Sequence, residues 1–198
     1  SPGGLGLPSS ACWPSGVGPP ATDLPHHRTV QQHRNPVTPS AAFDVIVLGG
    51  GLGGLSAALR LADAGLTVGV LRKKPSAESS SAWAQGGIAA AIDVEDTPGQ
   101  HAADTLVAGA GLCRPAAVDF VVNQAPEAIR WLQSQGVEFT PAGPNHRGAL
   151  HLTREGGHSR RRIVHAADAA GKAIIASLEA RVAEHAGIQL LDDRIGID

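Results

Sequence analysis

The stretch Gly49-Gly50-Gly51-Leu52-Gly53-Gly54 constrains this chain more than any other. So many glycines together make a turn, and what flanks them says which kind. Phe43-Asp44-Val45-Ile46-Val47-Leu48 precedes them as a short, nearly continuous apolar run. That is the pattern of a strand buried on both faces of a parallel sheet. Leu55, Ala58, Leu59 and Ala62 follow at helical spacing, and Gly65 stands where a C′ glycine ends a helix. Thr67-Val68-Gly69-Val70-Leu71 is a second β-rich run. Strand, turn, helix and strand within about thirty residues is the size of a βαβ unit. Gly49, Gly51 and Gly54 fill the G-x-G-x-x-G positions. The first glycine makes the tight turn, the second lets a pyrophosphate reach the backbone, and the third lets helix and strand pack closely. The helix N-terminus, with its free N–H groups, then favours the anion. The expected fold is α/β, Rossmann-like, with a parallel sheet; the loop, with Gly50, Leu52 and Gly53, is a candidate dinucleotide site.

Composition closes off other classes. Hydrophobic residues make up 42% and charged residues 17%, which allows a buried core, and the net charge of -2 gives no general attraction for nucleic acid. Cys12 and Cys113 are the only cysteines, too few for a disulfide scaffold and without the spacing of a metal site. No apolar run reaches the ~20 residues of a membrane-spanning helix. With no signal-peptide pattern at the start, the cytoplasm is the expected compartment. There is no tyrosine, so the core must be aliphatic and alanine-rich.

Residues 1–42, rich in Pro, Gly, Ser and Thr, read as a disordered tail in which His26, His27 and His33 are solvated. Residues 43–198 hold the ordered part. Within it, Ser76 to Gly87 is polar and glycine-rich, and Ile88 to Ile92 is a small apolar run. Pro115 opens a helix with an expected inner face of Val118, Val121, Val122 and Ala125, and Pro126 starts a second one ending at Gly136. Val137-Glu138-Phe139 reads as a strand, Ser159 to His185 as mostly helix with an interruption at Gly171, and Ile188 to Leu191 as a strand.

The acidic residue that usually ends the second strand, bonding a ribose, is replaced here by Arg72-Lys73-Lys74. These fit a pocket for an NADP 2′-phosphate, a lysine contact to the ribose or diphosphate of FAD, or a solvated basic corner. The fingerprint alone does not choose.

Ser79-Ser80-Ser81-Ala82-Trp83-Ala84-Gln85-Gly86-Gly87-Ile88-Ala89 resembles the S-x-x-A-Q-G-G-I-A signature of the succinate dehydrogenase, fumarate reductase and L-aspartate oxidase flavoprotein superfamily. His101 to Cys113 and His151 to Asp168 are similar to the L-aspartate oxidase branch of it. The resemblance implies an FAD cofactor, with Ser80, Ser81, Ala82, Trp83, Ala84, Gln85, Gly86 and Gly87 along the flavin and ribityl chain, and Lys73 as the lysine that replaces the usual acid. Covalent members of the superfamily carry a histidine five residues before the glutamine, where this chain has Ser80, so the FAD is expected to be non-covalent.

For activity, the resemblance implies oxidation of L-aspartate to iminoaspartate, with oxygen or fumarate as acceptor. The product feeds quinolinate synthase and thus NAD formation. Glu155 is the residue it assigns to the substrate ammonium; the alternative is a carboxylate capping a helix. His158 either lines the site or is structural. Arg160, Arg161 and Arg162 are expected to form a solvated or salt-bridged helix face, and His165 and Asp168 a hydrogen bond rather than a catalytic dyad. The substrate-clamping arginines of the family lie beyond this chain, which is therefore expected to be an incomplete, inactive N-terminal part. Two other readings stay open: a fumarate reductase-like flavoprotein, and a non-catalytic NADP-binding module.

Overall fold

The computed structural model describes residues 42–74, 78–144, 148–166 and 169–197. The tail expected over residues 1–42 thus lies almost wholly outside the described residues. Ala41–Asp198 forms one compact unit. Its elements run β1 (Val45–Leu48), α1 (Leu52–Asp63), β2 (Val68–Leu71), β3 (Ile88–Ala89), α2 (Pro98–Ala108), α3 (Pro115–Ser134), β4 (Leu152–Thr153), β5 (Ile163–Val164), α4 (Ala170–Glu184) and β6 (Ile188–Leu191).

β1, β2 and β6 form a parallel sheet in that order, with Val45 opposite Val68 and Val68 opposite Ile188. The β-branched and leucine runs seen in the sequence are these strands. Parallel neighbours need crossovers, and α1 and α4 supply them. Both helices lie against one face of the sheet. Leu55 and Leu59 of α1 join Ile174, Ile175 and Leu178 of α4 in the main core, while Ala58 and Ala62 pack on Val68 and Val70. Leu178 is fully buried, so truncating it to alanine is worth about 2–5 kcal/mol. Gly65 ends α1 at φ +89°, a conformation that costs glycine nothing, and the Leu66 N–H closes back on the Leu61 carbonyl at 3.2 Å.

β1 differs from its expectation. Among the described residues it is an edge strand with one covered face: Val45 and Val47 are half-buried, but Ile46 is 47% and Leu48 70% exposed. A continuous apolar run does not reveal that its second face lacks a cover.

β3, β5 and β4 make a small antiparallel sheet, Ile88 facing Val164 and Leu152 facing Val164 from the other side. Three further expectations need correcting here. α3 is one helix of 20 residues with Pro126 inside it. The missing N–H and the ring clash cost about 3 kcal/mol. Burial of Val122, Ala125, Ile129 and Leu132 along one stripe offsets that, and Val121 of the expected inner face is exposed. Residues 159–166 are not helical: the chain bends at Ser159 and Arg160 and enters β5, and the helix begins only at Ala170, with Gly171 in its first turn. Val137, Glu138 and Phe139 alternate buried, exposed, buried as a strand does, yet have no ladder. The Val137 N–H closes the end of α3, and the segment's first cross-strand bond is Thr140 N–H to the His165 carbonyl.

Candidate functional site

The glycine turn leaves β1 at Gly49, whose φ of +108° restricts the position to glycine. Gly51 is the N-cap of α1, in extended conformation, and no side chain caps the helix within its own sequence. A Cβ on Gly54 would sit 1.9 Å from the Gly49 carbonyl oxygen and 3.4 Å from Val47 Cγ1, so only glycine lets α1 approach β1 so closely. Gly53 meets no such contact. Gly50 and Leu52 complete the loop at the opening of α1, where the amides of the first helical turn have no intrahelical partners.

The segment 78–87 lies beside this turn. Ser81 Oγ accepts a hydrogen bond from the Leu52 N–H at 3.3 Å. It is also the atom a Cβ on Gly51 would meet. Two turns follow, Ala82 N–H to the Ser79 carbonyl at 3.0 Å and Ala84 N–H to the Ser81 carbonyl at 3.4 Å. Ser80, Trp83, Ala84, Gln85 and Gly86 are exposed, Trp83 to 76%; Ser81, Ala82 and Gly87 are half-buried. A cavity of about 230 Å³ opens between Leu52, Ser81, Gly87, Ile88, Gly171 and Ile174. A wider one of about 460 Å³ lies on the other side of the segment, against Lys172, Ile175 and Glu179. A set of such helix amides beside an apolar slot suits a molecule with a diphosphate and a flat aromatic end. The residues present therefore fit a flavin dinucleotide.

The basic corner resolves into separate parts. Arg72 is buried, its Nε 2.6 Å from Asp192 Oδ1, its Nη2 2.9 Å from Asp192 Oδ2, and its Nη1 2.6 Å from Glu179 Oε1. Asp192 and Glu179 together hold its pKa above the ordinary value, against the effect of burial. Lys74 pairs with Glu78 at 2.8 Å, and Lys73 is exposed in the bend after β2. A 2′-phosphate pocket built from all three cations is not what the structure shows, since Arg72 already holds two carboxylates.

Glu155 is exposed and opens a turn closed by the His158 N–H on the Glu155 carbonyl at 3.3 Å. No helix begins there, so Glu155 is not a capping carboxylate. The turn is fastened from its far end. Asp104 Oδ2, on α2, accepts from the Ser159 N–H and hydroxyl, both at 2.8 Å, and from Arg162 Nη1 at 2.6 Å. The Ser159 amide is the main reason the Asp104 carboxyl stands at about 2. Arg162 is 0% exposed and also clasps Asp96, at 2.7 and 2.9 Å. It is no part of a helix face, as the sequence had led us to expect; Arg160 and Arg161 are exposed, Arg160 being 3.9 Å from Glu95.

His158 lies half-buried with its ring 5.7 Å from that of His101. His101 Nδ1 is buried without a partner, and burial, together with the nearby Arg162 charge, lowers the His101 pKa. His165 faces His151, their nitrogens 2.8 Å apart, with Thr140 beyond; Asp168 lies outside the described residues. Neither α2 nor the Asp96–Arg162–Asp104 cluster was foreseen. The only sequence signal for it was a charged residue next to the apolar pair Ile163-Val164.

A parallel sheet whose first strand ends in a glycine turn, with free helix amides beside an apolar slot, defines a dinucleotide-binding α/β protein. Residues 44–195 match the FAD binding domain family; the chain belongs to that family, and its cofactor is FAD. It is 50% identical over 156 residues to L-aspartate oxidase 1 of Ralstonia nicotianae, covering 79% of this chain and 29% of that one. The L-aspartate oxidase of Pseudomonas aeruginosa is 50% identical over 159 residues, covering 78% of this chain and 29% of the relative. Among solved structures, an E. coli quinol fumarate reductase variant superposes with a TM-score of 0.70 at 27% identity, covering 76% of this chain and 26% of that one. A quinol-fumarate reductase with menaquinol molecules gives a TM-score of 0.71 at 27% identity, covering 79% and 28%. The chain thus spans under a third of the length of the curated relatives it matches.

Proposed function

We propose that residues 43–198 are the N-terminal, FAD-binding part of an L-aspartate oxidase, which converts L-aspartate to iminoaspartate with oxygen or fumarate as acceptor. The observation that carries this reading is the identity of 50% to enzymes bearing that name, against 27% to the fumarate reductase structures. FAD, when bound, supplies the acceptor for the hydride leaving the α-carbon of the substrate.

The chain's own groups do the rest. The loop of Gly49, Gly50, Gly51, Leu52, Gly53 and Gly54 cradles the diphosphate: Gly50, Gly51, Gly53 and Gly54 offer backbone N–H groups, while the Gly49 N–H is bonded to the Leu71 carbonyl and the Leu52 N–H to Ser81. Lys73, exposed beside the turn, adds a positive charge near it. Ser80 to Gly87 give the flavin a wall of backbone and mostly small side chains, with Trp83 and Gln85 the two large ones. Ser80 has no imidazole to form a covalent link, so the cofactor is held non-covalently. Glu155, exposed on a turn fixed by Ser159 and Asp104, offers a carboxylate to the substrate ammonium, the group that separates an amino acid from succinate. Iminoaspartate then passes to quinolinate synthase for NAD formation in the cytoplasm. Among the described residues no helix is long and apolar enough to cross a membrane.

The test is made on the protein that carries this chain. Its flavin should be released whole by acid precipitation, and anaerobic L-aspartate should bleach the visible flavin absorbance while succinate does not. Glu155→Gln should raise the KM for aspartate at least ~10-fold, the worth of one charge-assisted hydrogen bond. Bleaching by succinate and not by aspartate would sink the proposal. The 198-residue chain alone is expected to turn over no aspartate.

A further inference from the structure

Gly171 belongs to none of the motifs above, yet it is packed tightly against one of them. A Cβ built on it would lie 2.1 Å from the Ser81 carbonyl oxygen, 2.7 Å from the Ala84 carbonyl oxygen and 3.0 Å from Ala84 Cβ. These are backbone atoms and a Cβ, so no flexible side chain can swing aside. The same residue donates its N–H to the Ala84 carbonyl at 3.1 Å. Gly171 is itself buried, in the first turn of a helix whose next turns hold the core residues Ile174, Ile175 and Leu178. The helix cannot retreat without opening that core. On its other side the Ser81–Ala84 turn reaches the glycine loop, since Ser81 Oγ accepts the Leu52 N–H.

We propose that Gly171 is a positioning residue for the cofactor: its missing side chain and its N–H seat the Ser81–Ala84 turn, and through Ser81 set the distance between that turn and the amides opening α1. Both cavities flanking the segment share this seat, the smaller lined by Gly171 and the wider by Ala169 and Lys172 on either side of it. A methyl group at residue 171 drives the Ser81 carbonyl outward by more than about 1 Å to reach ordinary contact. That narrows the slot and breaks the Leu52–Ser81 link together. The inference rests on reading Ser80 to Gly87 as the flavin-side wall.

The experiment is FAD titration of the full chain, wild type against Gly171→Ala, following flavin fluorescence and the shift of its visible bands. Gly99→Ala serves as the control, because a Cβ there meets only Thr97 Oγ1, at 3.9 Å. Gly171→Ala is expected to weaken FAD binding at least ~10-fold, a displacement of this size being felt as strongly as overpacking a core. Gly99→Ala should bind as the wild type does. A variant that melts at lower temperature without FAD but binds it with unchanged Kd and unchanged bands would overturn the proposal and leave Gly171 a packing residue.

Should the variant not fold, hydrogen exchange on the wild type decides. The amides of Gly171 and of Ser81–Ala84 should slow together on adding FAD. Slowing in the glycine loop and in 81–84 without Gly171 overturns the inference alone. Slowing in the glycine loop but not in 81–84 overturns the reading of the segment, and the inference with it; so does a wild type that binds no FAD.

Discussion

Two buried arginines do the same job in two surroundings. Arg162 joins the antiparallel sheet to α2 through Asp96 and Asp104, whose side chains are 1% and 17% exposed. Arg72 joins the end of β2 to α4 and to the segment after β6 through Glu179 and Asp192, which are 29% and 46% exposed. The guanidinium geometry is nearly the same, bidentate to one aspartate and single to another carboxylate. What differs is the water. Around Arg162 the carboxylate charge is sealed in low dielectric, so each partner is indispensable to the other. Around Arg72 solvent already screens the carboxylates, so the pairing is replaceable. A short, well-aligned ion pair thus says little about stability until the exposure of both partners is known.

The sharpest way to break the comparison is to remove one carboxylate from each side. Asp96→Ala should destabilise the chain by about 3–5 kcal/mol in urea unfolding, because a guanidinium is left buried beside an empty place. A loss below ~1 kcal/mol would mean that water enters and solvates Arg162.

Acid gives the next largest effect. Asp104 stands at about 2 against its ordinary 3.8, so it favours the fold while ionised in both states, and that contribution disappears as pH falls from 3.8 toward 2. Unfolding monitored over that window should be less steep for Asp104→Asn than for the wild type. An equal slope would place the acid sensitivity elsewhere. The smallest effect belongs to Asp192→Ala, roughly 1 kcal/mol, because Asp192 is 46% exposed and water takes its place beside Arg72. Added salt should shrink this loss while leaving that of Asp96→Ala unchanged, since screening reaches exposed charges and not sealed ones. Equal salt dependence would erase the distinction.

What could be read in the sequence follows the range of the interactions. The glycine turn, β1, α1, β2 and β6 were legible because each depends on neighbours within a few residues: a β-branched run, a helical spacing, a glycine after the last turn. Arg162 was not, since its partners lie 58 and 66 positions away and a triple arginine reads locally as a solvated face. The exposed face of β1 escaped for a related reason, as no strand announces what will or will not cover it. Gly171 was read as a break in a helix; sequence shows the missing side chain but not the carbonyls it makes room for. For Glu155, the residues gave a carboxylate before two glycines, and the resemblance gave it a role. Its fastening through Ser159 to α2 needed the fold.

Pro126 leaves one more consequence in α3. The carbonyl of Val122 receives no amide from the next turn, so the hydrogen-bonded ladder of the helix is interrupted just where its buried stripe continues. Mechanically, α3 is two rods of about ten residues joined at a soft joint, braced by the packing of its buried stripe. Stiffness there is on loan from the core: loosening Val122 or Ile129 would let the helix bend before it unwinds.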